Sequence, residues 1–134
     1  MWEFEIVKGH ELDVEEVAGL YHASGLAERR PVDDRGRFAE MLRESNLVVT
    51  ARAGTRLIGI SRCLTDGAYV TYLCDLAVDR EFQRRGVGRG LVEETGRAAG
   101  RAKIVLLSAP AAAGYYPRIG FARHDSAWVM DPTG

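Results

Sequence analysis

Between Gln83 and Gly90 the chain reads Gln-Arg-Arg-Gly-Val-Gly-Arg-Gly and then continues in the pattern of a helix. Glycine admits φ angles closed to other residues and lets backbone approach a partner, while arginine supplies fixed positive charge in a planar fork. A helix N-terminus adds unpaired N–H groups and about half a positive charge from its dipole. Together these suit a phosphorylated ligand, with Gly86 and Gly88 leaving room for phosphates and Arg80, Arg84, Arg85 and Arg89 able to reach them. A Walker A loop is excluded because no lysine follows any of the glycines. A dinucleotide fingerprint is disfavoured too. Gly86, Gly88 and Gly90 stand in GxGxG rather than GxGxxG spacing, and the loop comes several residues after a strand that closes an antiparallel meander. An ordinary surface turn with solvated arginines would carry the same residues, so the surroundings of the loop decide.

The elements that must position this loop can be read along the chain. FEIVKG is an opening strand, and ELDVEEVAGLYHASG is a helix that Asp13 can cap, with Glu16 three residues on and Val14, Val17, Ala18 and Tyr21 on one face. A second helix is expected from about Asp33 to Glu44, with Phe38, Met41 and Leu42 inward. SGLAERRPV between them is polar and irregular, a suitable substrate loop. From Asn46 the period becomes that of strands: Leu47, Val49 and Ala51 alternate, AGT turns the chain, RLIGISRCL returns, TDG turns again and AYVTYLCDLAV follows. After the glycine loop come the helix GRGLVEETGRAAG and a buried strand in AKIVLLSAP. A right-handed crossover should place that strand parallel to the one before the loop. A short helix, AAAGYY, and a final strand, GFARHDSAWVM, complete the expected order β-α-α-β-β-β-α-β-α-β. This predicts an α/β fold in one domain, residues 1–134, with a mixed, mainly antiparallel sheet flanked by helices.

Composition agrees. The 134 residues are 46% hydrophobic and 28% charged with a formal net charge of −1, which removes any general electrostatic case for nucleic acid or an anionic membrane as partner. MWEFEIVKGH has neither a basic nor an apolar leader region, so a cytoplasmic location is expected. Cys63 and Cys74 lie singly in strand-like runs and read as reduced packing residues. His10, His22 and His124 are scattered, so no metal site is predicted.

The pattern Q/R-x-x-G-x-G/A is matched from Gln83 to Gly88, with a strand ending Leu-Ala-Val upstream and a helix downstream. In this the chain resembles the acyl-coenzyme A loop of the GNAT superfamily of N-acetyltransferases. GYYPRIGF, Gly114 to Phe121, is similar to the closing motif of the same family, and the resemblance extends over nearly the whole chain. It implies acetyl-CoA as acyl donor, a primary amine as acceptor and, since members are commonly dimers, a homodimer. It also implies that the strand before the loop splays from its neighbour. Leu76, Ala77 and Val78 would then receive the pantetheine arm, through the main-chain groups of Leu76 and Val78, while Gln83, Arg84, Arg85, Gly86, Val87, Gly88, Arg89 and Gly90 would hold the phosphates. The thioester carbonyl would be polarised by a backbone N–H near the middle of that strand. Tyr116 matches the family's tyrosine that holds and protonates the departing sulfur, although Pro117 departs from the pattern and could redirect the hydroxyl.

Attack by an amine requires a proton to be removed, because an alkyl ammonium has a pKa near ~10. Asp75 is the only acid in YVTYLCDLAV, and burial among apolar neighbours would raise its pKa into a useful range. It could take the proton, bind the substrate ammonium or cap backbone groups. Part of the family instead has a glutamate or histidine at positions matching Tyr72 or Cys74. The acceptor is open between a polyamine, an amino sugar, an aminoglycoside, an amino acid and a protein terminus, with Glu28, Asp33 and Asp34 as candidate cation receivers. The rival from another class is a module on the same fold that senses acyl-CoA without turnover.

Overall fold

A computed structural model describes residues 1–132. A five-stranded sheet runs in chain order: β1 (Glu3–Val7), β2 (Leu47–Ala53), β3 (Arg56–Thr65), β4 (Val70–Val78) and β5 (Lys103–Val105). The first four strands are antiparallel neighbours, and β5 joins β4 in parallel after the helix α3 (Val87–Ala99) crosses over. The connection from β1 to β2 carries α1 (Val14–Ser24) and α2 (Arg35–Arg43). The fold class read from the sequence is therefore found: one domain, mixed and mainly antiparallel.

Local chemistry starts the helices as expected. The Asp13 carboxylate accepts the Glu16 N–H at 3.1 Å and the Asp34 carboxylate the Arg37 N–H at 3.2 Å, each satisfying one of the donors a helix start leaves unpaired. On one side of the sheet, Val17, Tyr21, Phe38 and Leu42 from α1 and α2 are buried against Val48, Ile60 and Ala77. On the other side, Leu91 and Val92 of α3 lie over Val49, Ile58 and Leu73. Gly90 lets α3 approach β1 closely, since a Cβ there would stand within van der Waals overlap of the Phe4 ring.

Two irregularities in β4 set up the site. Arg62 of β3 pairs with Asp75 while Cys63 pairs with Leu73, so Cys74 is an extra residue, a β-bulge. The bulge breaks the period of two: Leu73 packs on the α3 side, and beyond it Leu76 and Val78 share that side while Asp75 and Ala77 face α1. In addition, β5 pairs with β4 only through Val70, Thr71 and Tyr72, opposite Lys103, Ile104 and Val105. Beyond Tyr72 the two strands part.

The C-terminal end differs from expectation. AAAGYY does not make a helix; the segment forms two short 3₁₀ turns, Pro110–Ala112 and Tyr116–Ile119, each with a proline in its opening positions. A lone proline-initiated turn with Gly114 between the two gives no run long enough to propagate an α-helix. Residues 121–132 form no strand. A turn at Asp125 and Ser126 interrupts the run, the edge strand β5 offers only three residues for pairing, and Trp128, Val129 and Met130 are exposed. The last two elements of the expected order are thus absent among the described residues.

Candidate active site

The backbone of the glycine loop has a conformation that suits an anion. Arg84 (φ 63°) and Gly86 (φ 95°) take left-handed conformations, and Gly86 caps α3 without any side chain bonding to the first turn. No acid stands in that turn, and apart from its chain neighbours nothing lies within 4 Å of where a Gly86 Cβ would be, so the space beside the helix start is open. Gly88 lies beside the Tyr115 hydroxyl, which would be 3.0 Å from a Cβ at that position.

Several expected side-chain contacts are engaged elsewhere. Arg85 is diverted from the helix start: its guanidinium stacks on Phe82 at 5.0 Å and near Trp2 at 5.9 Å. Gly90 is accounted for by Phe4 rather than by a ligand, and the Val87 side chain is buried in the core. Gln83 is exposed and folds back on β4, its amide donating to the Val78 carbonyl at 2.8 Å. Arg84 and Arg89 are exposed and make no ion pair among the described residues.

Where β4 leaves β5, a cleft opens between Leu73, Cys74 and Leu76 on one side and Leu106, Ala109 and Tyr116 on the other. The direction of the β4 backbone follows from its pairing. Asp79 N–H donates to Ile58 O at 2.8 Å, and in an antiparallel pair alternate residues turn both main-chain groups to the partner. Ala77 and Asp75 therefore point at β3, and Leu76 and Val78 point at the open side. The carbonyl of Val78 is taken there by Gln83, and that of Cys74 by an Arg30 terminal nitrogen at 3.0 Å. The main-chain groups of Leu76 and the N–H of Val78 are left without a partner among the described residues.

Asp75 does not fill the role of a base with raised pKa. Its side chain is fully buried; Oδ1 accepts from Arg30 Nε, and Oδ2 from Arg62 Nε and the Tyr21 hydroxyl, all at 2.6 Å. Burial is the largest influence and pushes the carboxyl up. Arg62, Tyr21 and Arg30 together outweigh it and hold the group below the usual carboxylate range. Arg62 is in turn tied to Ser45 Oγ at 3.1 Å and Met41 O at 3.3 Å, so the network joins α1, α2, β3 and β4. Asp75 holds Arg30 beside the cleft. Sequence spacing could not disclose this network, whose members lie 54, 45 and 13 residues from Asp75. One signal was available: Arg62 in the apolar run RLIGISRCL, a charge that a buried strand position tolerates only with a partner.

Tyr116 lines the cleft together with Leu73, Cys74 and Leu76 of β4. Its ring meets Tyr115 edge-on at 5.3 Å and Phe121 at 5.5 Å. Burial raises the phenol's pKa, which keeps the hydroxyl protonated at neutral pH. The two tyrosines are separated in role: Tyr115 faces the helix N-terminus and Tyr116 the cleft. Among the described residues no carboxylate or imidazole lines the cleft, and burial raises the Cys74 thiol, so that it too stays protonated. Of the acids in the α1–α2 connection, Asp33 turns toward His22 Nε2 at 3.5 Å and Asp34 into its cap, while Glu28 is exposed and does not line the cleft.

A family model described as an acetyltransferase (GNAT) domain matches residues 23–131. The chain is 27% identical over 128 residues to a chloroplastic GCN5-related N-acetyltransferase of Arabidopsis thaliana, covering 92% of this chain and 59% of that protein. It thus spans little more than half the length of that relative. A crystal structure of a protein of unknown function from meticillin-resistant Staphylococcus aureus superposes with a TM-score of 0.79 at 20% identity, over 100% of both chains. An aminoglycoside N-acetyltransferase in complex with CoA superposes with a TM-score of 0.72 at 18% identity, over 98% of this chain and 95% of that one. At these identities the structural likenesses speak for the fold.

The Asp75 network makes a stability prediction. Asp75→Asn leaves two arginines without their buried counter-charge, a loss of about 3–5 kcal/mol, and the thermal midpoint at pH 7 should fall by more than about 10 °C. Because the folded-state pKa lies below the unfolded value of about 3.9, the stabilisation is complete above that value and is lost as pH falls through the folded one. The gap in midpoint between wild type and variant, followed by calorimetry from pH 7 to pH 3, should therefore narrow toward acid. A gap that widens would reverse the sign assigned to Asp75.

Proposed function

This chain belongs to the GNAT acetyltransferase family, and we propose that it transfers an acetyl group from acetyl-CoA to a primary amine. The observation that carries the reading is the parting of β4 from β5 after Tyr72. It leaves the Leu76 and Val78 main chain on an open edge beside a cleft that Leu76 and Tyr116 line, with Gly88 of the uncapped α3 start against the Val78 side chain. The residues present suit such a donor. An open helix N-terminus with left-handed Gly86 matches a pyrophosphate, and an unpaired strand edge matches an amide-bearing arm that can add like a strand.

Acetyl-CoA supplies an activated acyl carbon and a thiol leaving group. The chain's part is to align and to move protons. The N–H groups at Leu76 and Val78 fix the arm and offer donors for carbonyl oxygen, and the protonated Tyr116 hydroxyl stands ready to give its proton to sulfur. With no ionised base lining the cleft, the acceptor must lose its proton to water or enter neutral, so kcat/KM should rise with pH toward the amine's own pKa. The same absence favours a second reading, a sensor that binds acyl-CoA without turnover. Thiol release in the presence of an amine panel separates the two, because a sensor releases none.

Gly88→Glu should abolish the rise in thermal midpoint that acetyl-CoA gives, while the free protein stays folded. The new carboxylate brings like charge to the phosphates and meets the Tyr115 hydroxyl. An undiminished shift would place the phosphates elsewhere.

Tyr116→Phe keeps the ring and removes one donor, so acetyl-CoA affinity should change little while kcat falls by about 10²- to 10⁴-fold. Tyr115→Phe, whose hydroxyl faces Gly88, should leave kcat nearly unchanged. If Tyr115 is the costly position, the acid has been assigned to the wrong tyrosine.

A further inference from the structure

We infer that the amine acceptor carries an anionic oxygen group, a carboxylate or a phosphate, received by Arg29 and Arg30 at the side of the cleft. The inference rests on the acetyl-transfer reading of that site. Two arginines and no acid stand among the residues lining the cleft. Asp75 behind them is shared between Arg30 and Arg62, so Arg29, Arg30 and Arg62 outnumber their one buried counter-charge by two. Arg30 spends three of its five N–H donors, on Asp75 Oδ1, on Arg29 O at 2.8 Å and on Cys74 O, and is thereby held in place with two donors to spare. Arg29 is exposed and its side chain has no ion-pair partner among the described residues. A fixed guanidinium beside a free one is a receiver for a planar or tetrahedral oxyanion.

This charge is not the phosphate site of the donor. Arg30 bonds to Cys74 O, whereas the glycine loop is anchored by Gln83 at Val78 O, and four residues of extended strand at ~3.3 Å each, ~13 Å, separate the two. Nor does the cleft offer anything to a polycation. Asp33 and Asp34 are turned away, Glu28 is exposed and does not line the cleft, Asp75 is enclosed by its arginines, and a polyamine or aminoglycoside would add positive charge to a lining that holds two arginines and no acid.

Leucine against leucinamide and O-phosphoethanolamine against ethanolamine, with spermidine and kanamycin alongside, form the acceptor panel, followed by thiol release and product mass. The cleft's leucine-rich walls suit the apolar side chain. In at least one pair the anionic amine should exceed its uncharged partner in kcat/KM by about 10- to 100-fold. For leucine this runs against intrinsic reactivity, because the amide presents more neutral amine. Which pair shows the preference distinguishes carboxylate from phosphate. Arg29→Glu should erase it while the thermal shift given by acetyl-CoA is kept. Equal rates within both pairs, preference for spermidine or kanamycin, or a ratio unmoved by Arg29→Glu would overturn the inference. Binding of N-acetylleucine and N-acetylleucinamide, and of N-acetyl-O-phosphoethanolamine and N-acetylethanolamine, to the CoA-loaded protein by calorimetry gives a readout without turnover. Anion-dependent binding that Arg29→Glu removes upholds the anion site even if no amine in the panel is acetylated, in which case it is the transfer reading that fails. Equal binding within both pairs overturns the anion site.

Discussion

Backbone N–H and C=O groups that leave a sheet without a partner must be satisfied by side chains, water or a ligand, and from Leu73 onward β4 has such an edge on its β5 side. The molecule closes part of it internally. Gln83 takes the Val78 carbonyl from the loop side and Arg30 takes the Cys74 carbonyl from the α1–α2 side, so the edge is pinned at both ends. What stays open between the pins is a short stretch centred on Leu76. The cleft, the loop that reaches its end and Tyr116 on its far wall are all arranged around that stretch. The bulge at Cys74 belongs to the same arrangement, because it turns Leu76 and Val78 to the α3 face and delivers Asp75 to the other.

The buried charge network works as a clamp rather than as chemistry. A carboxylate with no exposure would ordinarily be driven toward its neutral form, yet two guanidinium groups and a phenol supply enough compensation to keep it ionised. In doing so it ties the connection between α1 and α2 to β4 and fixes Arg30 at the side of the cleft. In the proposed reaction, proton removal falls to solvent or to the acceptor itself, and Tyr116 is the group proposed to donate a proton.

Most of the fold was legible because its signals are local. Asp13 and Asp34 announce their helices, the alternation through Leu47, Val49 and Ala51 announces a strand, and the glycine loop carries its own geometry. Failures came where a partner far along the chain decides. Gly90 reads as part of the phosphate loop, but Phe4 requires it. Asp75 reads as a lone acid in an apolar strand, and only the folded chain shows Tyr21, Arg30 and Arg62 converging on it. The run ending in Trp128, Val129 and Met130 has the composition of a strand, which is a statement about side chains. A strand also needs a ladder, and β5 provides almost none. The pairing that does form between β4 and β5 stops after Tyr72, and no residue there marks the end of it in the sequence.

Amide hydrogen exchange resolved by residue tests the open edge most directly. In the free protein, Leu76 and Val78 should exchange quickly while Ala77, bonded to β3, exchanges slowly. Saturating acetyl-CoA should slow Leu76 and Val78 by at least about tenfold, because their N–H groups then gain partners, and leave Ala77 as it was. Slow exchange at Leu76 and Val78 before any ligand is added, or no change there on saturation, would contradict the claim that this edge of β4 is where the donor binds.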